Sequence, residues 1–434
     1  MASCPVQRAD DSFNIRRLLR SIELDRLDRS ARESVWACAQ CLQCAESCPR
    51  GARPDQAMLM LRRIAAGERK APPHVAAAVA NVARWGRPLP LAAAPLTAWA
   101  QDLSLPREGA TVFLAGLYPY APYLERLIGT AASLAPKRLA LFGRLASLAR
   151  PLAQGVLSLS LPRLGGVEIG PYERALKGAV LALRTLGVEV AYLGEQEPWC
   201  GIELHTYGYE DAFVEHARGV VADLARRGVR EVITADVLTA SCLAVLYREA
   251  GVDHDLRVRH LVEVIAERIG RAKGRWRAGE RRTVVAFSDP CYLARRLRLV
   301  DEPRAILRKI ERIDLKEPVD HGLRTRCVCG GGSEIAEPAR VMRMAELRLE
   351  ELIETGAERV VTSCPVCVVM LRGAAERKGF PGRIQDIGEL LLESLPEAPR
   401  PGRVAPRPVG VTPRSVRVAP RPARPARVKP EPPR

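Results

Sequence analysis

The twelve cysteines of this 434-residue chain limit what it can fold into more than any other feature, because most of them are grouped. The chain has no uncharged apolar stretch long enough to span a membrane and no apolar leader segment, so we expect it in the cytoplasm. Thiols there stay reduced, and grouped cysteines are more often metal ligands or redox centres than disulfides. The cysteines are Cys4; Cys38, Cys41, Cys44 and Cys48; Cys200 and Cys242; and Cys291, Cys327, Cys329, Cys364 and Cys367.

The formal charge of +17 is concentrated in the carboxy-terminal tail. Residues 399–434 hold ten Lys and Arg against one acid, with eleven prolines and no helical or strand period, which predicts a disordered tail. Aromatic residues make up 5% of the chain, too few for a base-stacking surface, so we expect no nucleic-acid partner. Asparagine occurs only at Asn14 and Asn81, which fits a thermophile or a biased genome composition equally well.

Hydrophobic periodicity separates a helical part from an α/β part. Residues 1–105 have apolar positions three and four apart and predict a small all-helical domain. From Thr111 onward, short apolar runs alternate with amphipathic helices, which predicts parallel α/β domains and an α/β multidomain fold class. The predicted strands are 112–115, 188–193, 231–234, 283–287 and 359–362.

An internal repeat divides the α/β part into two. The segments that begin at Trp199 and Val328 each start with Cys-Gly, continue through one long helix and end in a β-branched strand. We therefore predict two related α/β domains, at 106–280 and 281–398. The first carries an insertion at 124–164 rich in Leu and Arg, interpreted as a helix packed on its own domain; a docking surface for a membrane partner is the alternative.

The run "CAQCLQCAESCP" spaces Cys38, Cys41, Cys44 and Cys48 as C-x2-C-x2-C-x3-C-P, the pattern of bacterial ferredoxin sites. Three thiolates two residues apart can wrap one cubane 4Fe-4S cluster. Structural zinc is the rival, but zinc sites usually combine two C-x2-C pairs across a long gap. The motif therefore predicts a cubane cluster.

The sequence does not decide which cysteine is the fourth ligand of this cluster. The last cysteine of such a run commonly ligates a neighbouring cluster, and Cys4-Pro5 looks like the end of another run that would begin before Met1. Cys4 would then complete the cluster held by the first three cysteines. If instead the second cluster has been lost, Cys48 serves as the fourth ligand and Cys4 is a disordered terminal thiol.

The second group of cysteines follows predicted strand ends, where parallel α/β domains gather their ligands. Its motifs "SDPCYLAR", "CVCGGG" and "TSCPVC" resemble the CCG cysteine-rich motif of heterodisulfide reductase catalytic subunits, and "ACAQCLQCAESCPRG" resembles their iron-sulfur subunit. The resemblance spans nearly all of residues 1–398, in the order found in fused chains. The iron-sulfur subunit of dissimilatory sulfite-reductase membrane complexes is similar.

The resemblance implies a second, noncubane 4Fe-4S cluster that exchanges electrons with the cubane and cleaves or forms a sulfur-sulfur bond. Its ligands, and the catalytic residues, would be Cys291, Cys329, Cys364 and Cys367. The expected partners are a cytochrome b membrane subunit or a flavin subunit, and a small thiol or disulfide or a sulfur-carrier protein. A membrane partner would hold the protein on the inner face of the membrane.

The sequence departs from the family pattern at several positions. Val328 stands where the first of the doubled cysteines is expected, and Cys327 is a substitute for it. In the first α/β copy, three expected cysteines are replaced and only Cys200 and Cys242 remain, so we expect no iron-sulfur cluster there; zinc or buried thiols are the alternatives. The replacements are Leu117, Trp199 and Asp236.

Three functions stay open from the sequence. The first is a sulfur-directed oxidoreductase. The second is a noncatalytic electron-transfer subunit, like the iron-sulfur subunits of lactate, glycolate or glycerol-3-phosphate dehydrogenases, which carry related motifs. The third is a nonredox zinc scaffold. No G-x-G-x-x-G follows a predicted strand, so electrons are expected from a partner and not from a bound nicotinamide or flavin.

Overall fold

The amino-terminal part of the chain is helical, as the periodicity predicts. The computed structural model describes residues 4–24, 34–133, 170–272, 274–329, 331–334 and 337–396. Helices α4 and α5 begin at Pro54 and Pro73, where the missing N–H of proline leaves no hydrogen bond unmade. The helices here are α1, Pro5–Ala9; α2, Ile15–Glu23; α3, Gln43–Glu46; α4, Pro54–Gly67; α5, Pro73–Trp85; and α6, Ala93–Thr97, with 3-10 turns at Val35–Ala37 and Ala98–Ala100.

Two parallel sheets follow, which confirms the α/β fold class. The first sheet has the order β1-β2-β3 and the second has the order β5-β4-β6-β7. The strands are β1, Thr111–Leu114; β2, Glu231–Thr234; β3, Arg257–His260; β4, Thr283–Phe287; β5, Ile313–Lys316; β6, Arg359–Thr362; and β7, Arg383–Asp386.

Helices cover both sheets and connect the parallel strands. Those of the first sheet are α7, Ala121–Ser133; α8, Gly170–Thr185; α9, Ile202–Thr206; α10, Glu210–Arg226; α11, Val237–Ser241, which continues through a π-helical turn at Cys242–Leu246 into Tyr247–Glu249; and α12, Leu261–Ile269. Those of the second sheet are α13, Cys291–Arg295; α14, Asp301–Lys309; α15, Pro338–Ile353; α16, Pro365–Lys378; and α17, Ile387–Ser394.

The two sheets repeat one arrangement. In the first, α10 leads into β2 and α12 follows β3; in the second, α15 leads into β6 and α17 follows β7. The order β1-β2-β3 thus matches β4-β6-β7. Both of these closing helices begin directly after a strand, with His260 and Asp386 as side-chain N-caps. The boundaries at 105 and 280 stay predictions, because contacts group Met1–Pro396 as one compact unit.

The sequence prediction was incomplete for the strands at the sheet edges. Residues 188–193 do not form a strand: only Ala191 exchanges hydrogen bonds with β1, through the Phe113 amide at 2.7 Å and the Thr111 carbonyl at 3.0 Å. This segment occupies the place beside β1 that β5 occupies beside β4. Strands β3, β5 and β7 were missed; each lies at an edge and carries charged residues, so it lacks the continuous apolar run of a buried strand.

Glycine contacts bring α8 and α17 together. A Cβ atom on Gly388 would lie 2.3 Å from the carbonyl oxygen of Ala175, and one on Gly178 would overlap the carbonyl oxygen of Gly388. A side chain at either glycine would force the two helices apart. Because α8 covers the first sheet and α17 the second, this contact fixes the two α/β halves against each other.

Two predicted features fall largely outside the described residues. Of the insertion at 124–164, the structure describes the part within α7, up to Ser133; the predicted apolar helix farther along and the tail at 399–434 lie outside. None of the described helices combines the length and apolar character that a bilayer span requires.

Candidate metal centre

The first cysteine group forms a tight loop between the turn at Val35–Ala37 and α3. Cys38 and Cys41 are buried, and two non-glycine residues beside them, Gln40 and Leu42, adopt left-handed backbone angles with φ of 49° and 61°. Left-handed conformations of such residues are uncommon and concentrate at functional sites. The Gln40 amide nitrogen lies 3.9 Å from the sulfur of Cys38, so the buried loop presents polar hydrogens to its own thiols.

The thiol of Cys4 interacts with those of this loop, whereas the thiol of Cys48 interacts with the backbone that follows the motif. Cys4 is the N-cap of α1, and its thiol interacts electrostatically with those of Cys38, Cys41 and Cys44. Burial raises the pKa of Cys44 to about 12. Cys48 is half-buried, and backbone amides of Arg50 and Ala52 lower the pKa of its thiol. The described contacts therefore gather the first three cysteines of the motif with Cys4.

The second cysteine group gathers at the carboxyl ends of β4 and β6. Cys291 opens α13 directly after β4, and Cys364 is the N-cap of α16 after β6, with Cys367 in the first turn. The sulfurs of Cys329 and Cys367 are 3.8 Å apart, and hydrogen bonds from Cys329 and Cys364 lower the pKa of Cys367. The structure thus brings all four predicted ligands of the second group to one sheet edge.

Cys327 sits inside this group. Its sulfur lies 3.8 Å from that of Cys291, and it accepts a hydrogen bond from the Cys329 amide at 3.4 Å. Cys327, the substitute for the missing first cysteine of the doubled pair, therefore lies close to two of the predicted ligands.

The two cysteine groups touch at one point. Cys41 and Cys327 are buried in the same apolar cluster, and the interaction with the Cys327 thiol is the main reason that the pKa of Cys41 is lowered. Cys41 belongs to the amino-terminal loop and Cys327 to the loop before α15. No feature of the sequence predicted this contact, because both cysteines could be assigned to their own motif without it.

Two buried guanidinium groups hold the amino-terminal cysteine loop. Arg62 on α4 is 1% exposed and donates to the carbonyl oxygens of Cys38 at 2.6 Å and Thr206 at 2.8 Å. Arg295 on α13 is 3% exposed and donates to the Cys41 carbonyl at 2.6 Å. Within the described residues neither arginine forms an ion pair with a carboxylate.

A buried charge without a counter-charge is costly, so these two arginines call for an anion nearby. The sulfurs of the cysteine loop are the anionic groups at hand, and the positive charge of Arg62 favours the thiolate of Cys38. A cluster held by thiolates carries net negative charge, and the donor set of soft sulfurs with buried guanidinium groups fits it.

The glycine run after Cys329 packs against the amino-terminal loop. A Cβ on Gly331 would lie 2.4 Å from the carbonyl oxygen of Ala39, and Gly331 has a φ of 58°. The next glycine, Gly332, accepts a hydrogen bond at its carbonyl from the Tyr207 hydroxyl at 3.0 Å. The glycines thus let the two cysteine loops approach with no side chain between them.

The corresponding place in the first α/β half is filled by polar side chains. Asp236 stands where Cys364 stands in the second half, and its carboxylate accepts from the Leu117 amide at 3.1 Å and the Thr239 hydroxyl at 2.7 Å. Thr239 lies 3.8 Å from the sulfur of Cys200, and the Cys242 thiol donates to the Cys200 carbonyl at 3.2 Å. The side chains of Asp236, Thr239, Cys200 and Cys242 are buried, and they form a hydrogen-bonded core that Leu117 joins through its backbone amide.

One buried pair next to the second cysteine group was not anticipated. The Tyr118 hydroxyl, from the first half, donates to the carboxylate of Asp386 at 2.6 Å, in the second half. Burial raises the pKa of Asp386 to about 7. Asp386 is also the N-cap of α17, and no feature of the sequence predicted its partner, which lies 268 positions away.

No three of the described His, Cys, Asp and Glu side chains are arranged to hold a single metal ion. The predicted zinc at Cys200 and Cys242 stays a prediction.

Comparison with known proteins agrees with the sulfur geometry. Residues 285–372, which contain all five cysteines of the second group, match the family model described as the CCG cysteine-rich domain. A chain of the dihydromethanophenazine:CoB-CoM heterodisulfide reductase from Methanosarcina barkeri is 29% identical over 222 residues, or 49% of this chain and 53% of its own length. By these two matches the chain is similar to heterodisulfide reductase subunits.

Two further relatives of this chain extend the comparison. A probable membrane-anchored ferredoxin from Chromohalobacter salexigens is 27% identical over 85% of this chain and 49% of its own length. A probable iron-sulfur-binding oxidoreductase from Bacillus subtilis is 28% identical over 52% of this chain and 33% of its own length. The matched segment therefore spans about half, or less, of the length of these curated relatives.

Proposed function

We propose that this chain is an iron-sulfur oxidoreductase subunit that passes electrons between two clusters and cleaves or forms a sulfur-sulfur bond. Cys38, Cys41 and Cys44 would hold the first cluster, with Cys4 as the fourth ligand. The second would be held by Cys291, Cys329, Cys364 and Cys367, with Cys327 beside them. The packing of Cys41 and Cys327 in one buried cluster carries this proposal, because it brings the two ligand sets together.

The reaction is balanced by two electrons and two protons. A disulfide R-S-S-R′ accepts both to give RSH and R′SH, and the reverse reaction releases them. The clusters, when bound, supply one-electron transfer. An electron-transfer partner supplies or removes the electrons, because no dinucleotide fingerprint is present in the sequence.

The protein groups around the sulfurs set the local charge. Arg62 and Arg295 offset negative charge at the amino-terminal loop from positions where water is excluded, so their electrostatic effect is stronger than at the surface. Arg348 adds positive charge near Cys367. Arg326 pairs with Asp320 and Glu351, and Arg324 is exposed, so the electropositive surroundings come mainly from the buried arginines.

We further propose that the first α/β half binds no cluster. The positions of two expected ligands are held by Leu117 and Asp236, which hydrogen-bond to each other. A Cβ on Gly116 would lie 2.4 Å from the Asp236 carboxylate, so this core leaves little room for an inorganic group. If the first half binds no cluster, each chain has a single sulfur-directed site. Cys200 and Cys242 are then buried thiols, with a zinc site as the alternative.

The partners are those that the resemblance of the cysteine motifs implies. A cytochrome b or a flavin subunit would exchange electrons, and a small thiol or disulfide, or a sulfur-carrier protein, would be the substrate. A membrane partner would place the chain on the inner face of the membrane, in keeping with a relative named as a membrane-anchored ferredoxin.

The test is EPR of the anaerobically purified, oxidised protein with and without an added thiol. A sulfur-directed site predicts a new paramagnetic signal that needs the thiol and is lost in Cys364→Ser. A noncatalytic relay, the second function considered, predicts spectra that are indifferent to thiol although both clusters are present. Zinc without iron in the purified protein would favour a scaffold and exclude both redox functions.

A further inference from the structure

Two side-chain hydroxyls lie directly before Cys364 in the chain and are buried. Thr362 is the last residue of β6 and is fully buried, and Ser363 is 1% exposed. Neither hydroxyl forms a hydrogen bond to an oxygen or nitrogen atom of the described residues. A buried hydroxyl that makes no hydrogen bond is costly, so each of these groups calls for a different kind of acceptor.

The first α/β half has the same strand end without such hydroxyls. By the internal repeat, Thr234 at the end of β2 corresponds to Thr362, and Ala235 corresponds to Ser363. The Thr234 hydroxyl accepts a hydrogen bond from the Asp236 amide at 3.0 Å, and Ala235 has no hydroxyl. In the half for which we expect no cluster, this strand end therefore has no hydroxyl that lacks a hydrogen bond.

The next residue also differs between the halves, in a way that points to an anion. Asp236 is the N-cap of α11, and its carboxylate accepts hydrogen bonds from the amides of Leu238 at 3.1 Å and Thr239 at 3.3 Å. Cys364 is the N-cap of α16, and its side chain makes no such bond. The first half thus holds a carboxylate where the second half places a cysteine, and both lie at the positive end of a helix dipole.

Cysteine sulfurs are the acceptors beside these hydroxyls. Ser363 is the chain neighbour of Cys364, and the Thr362 side chain is among the groups that lower the pKa of Cys367, after those of Cys329 and Cys364. A neutral thiol is a weak acceptor. A thiolate, or the inorganic sulfide of a cluster, carries negative charge, and hydrogen bonds to a charged acceptor are the stronger ones.

We propose that the hydroxyls of Thr362 and Ser363 donate hydrogen bonds to sulfur atoms of the second cluster and raise its reduction potential. The inference rests on the proposed function, because it needs a cluster held by the second cysteine group. A donated hydrogen bond stabilises negative charge on sulfur, and the reduced cluster carries one more negative charge than the oxidised cluster. Thr362 and Ser363 are therefore positioning residues that act through the cluster.

The experiment is an EPR-monitored redox titration of the anaerobically purified full chain and of its Thr362→Val and Ser363→Ala variants. Each substitution should make reduction of the second cluster about tenfold less favourable, a fall of about 59 mV for a one-electron couple, because one hydrogen bond to a charged sulfur is lost. The potential of the amino-terminal cluster should stay unchanged. Wild-type potentials in both variants would overturn the proposal.

Two further variants make the test specific to the hydroxyls. Thr362→Ser retains the hydroxyl and should keep the wild-type potential, so a fall as large as that in Thr362→Val would contradict the inference. Thr234→Val removes the corresponding hydroxyl of the first half and should leave both potentials unchanged. Ser363→Ala introduces the residue that the first half has as Ala235, so we expect this variant to fold and to retain its iron.

A second readout reports the hydrogen bonds themselves. After exchange of the protein into deuterated water, ENDOR spectra of the second cluster should show couplings to exchangeable deuterons. Thr362→Val and Ser363→Ala should each lose one of these couplings, whereas Thr362→Ser should retain it. Couplings that are the same in the wild type and in both variants would contradict the inference, whatever the potentials.

The outcomes separate this inference from the function on which it rests. Lower potentials in the variants, without any thiol-dependent EPR change in the wild type, would support the hydrogen bonds and reject the sulfur chemistry. A thiol-dependent EPR change with unaltered potentials in the variants would retain the sulfur chemistry and reject the hydrogen bonds. A wild-type chain without the second cluster would overturn both.

Discussion

Cys327 and Cys41 pack in one buried cluster, which joins the amino-terminal cysteine loop to the cysteine-rich half of the molecule. Replacing Cys327 by Ala should leave the amino-terminal cluster in place but slow electron transfer from it to the second site, because a sulfur that lies between the two cysteine groups is lost. Stopped-flow reduction followed by freeze-quench EPR measures this rate. Cys242→Ala, a buried cysteine of the first half, is the control and should leave the rate unchanged.

Cys4 and Cys48 differ in their environment, and this difference predicts the fourth ligand of the first cluster. Cys4→Ser should lower iron and sulfide by the content of one cluster, because its thiol lies with Cys38 and Cys41. Cys48→Ser should retain the metal. Anaerobic iron and sulfide analysis of both variants checks this, and loss of iron from the Cys48 variant alone would reverse the assignment.

Arg62 binds four carbonyl oxygens from a buried position, those of Val35, Trp36, Cys38 and Thr206. Arg62→Gln should destabilise the fold by about 3 kcal/mol or more, since it leaves buried acceptors without donors. It should also lower the iron content. Chemical denaturation under argon measures the stability, and the exposed Arg16→Gln serves as control. Wild-type stability and iron in Arg62→Gln would show that the guanidinium is not needed.

Gly331 and Gly356 form a matched pair for testing the contact between the loops. Both have positive φ, but a Cβ at Gly356 meets nothing within 4 Å, whereas one at Gly331 would overlap the backbone of Ala39. Both Ala variants should lose about 1–2 kcal/mol from backbone strain. Gly331→Ala should lose more and should weaken magnetic coupling between the clusters. Equal thermal midpoints and unchanged coupling would argue against a close contact.

Burial raises the pKa of Asp386 from 3.8 to about 7, and this predicts a pH dependence of stability. Between these values the unfolded chain releases a proton that the folded chain keeps, so stability should fall as the pH rises from about 4 to 7. Asp386→Asn keeps the helix cap but cannot ionise. The thermal midpoint of this variant should therefore fall less between pH 5 and 8 than that of the wild type; parallel curves would refute the assignment.

The central strands and the cysteine spacing could be predicted from the sequence because both leave local patterns. β2, β4 and β6 are central and apolar, and the second-group motifs place cysteines just after two of them. The edge strands could not be predicted in the same way, since Arg257, Asp314 and Arg383 interrupt their apolar runs.

The groups around the sulfurs could not be predicted because they act across the fold. Arg62 reaches the Thr206 carbonyl, Arg295 reaches Cys41, and Tyr118 reaches Asp386. In the sequence Arg62 is one of many arginines in a helical pattern. The apolar spacing predicts the helix that carries Arg62, but it does not predict which groups the guanidinium contacts.

Anaerobic iron and sulfide quantitation, per chain, of the wild type and Cys364→Ser tests the account most directly. Two clusters predict about eight iron and eight sulfide in the wild type and about half of each in the variant, with the amino-terminal cluster retained. A colourless, iron-poor wild-type protein, or one whose iron content is the same in Cys364→Ser, would contradict the account.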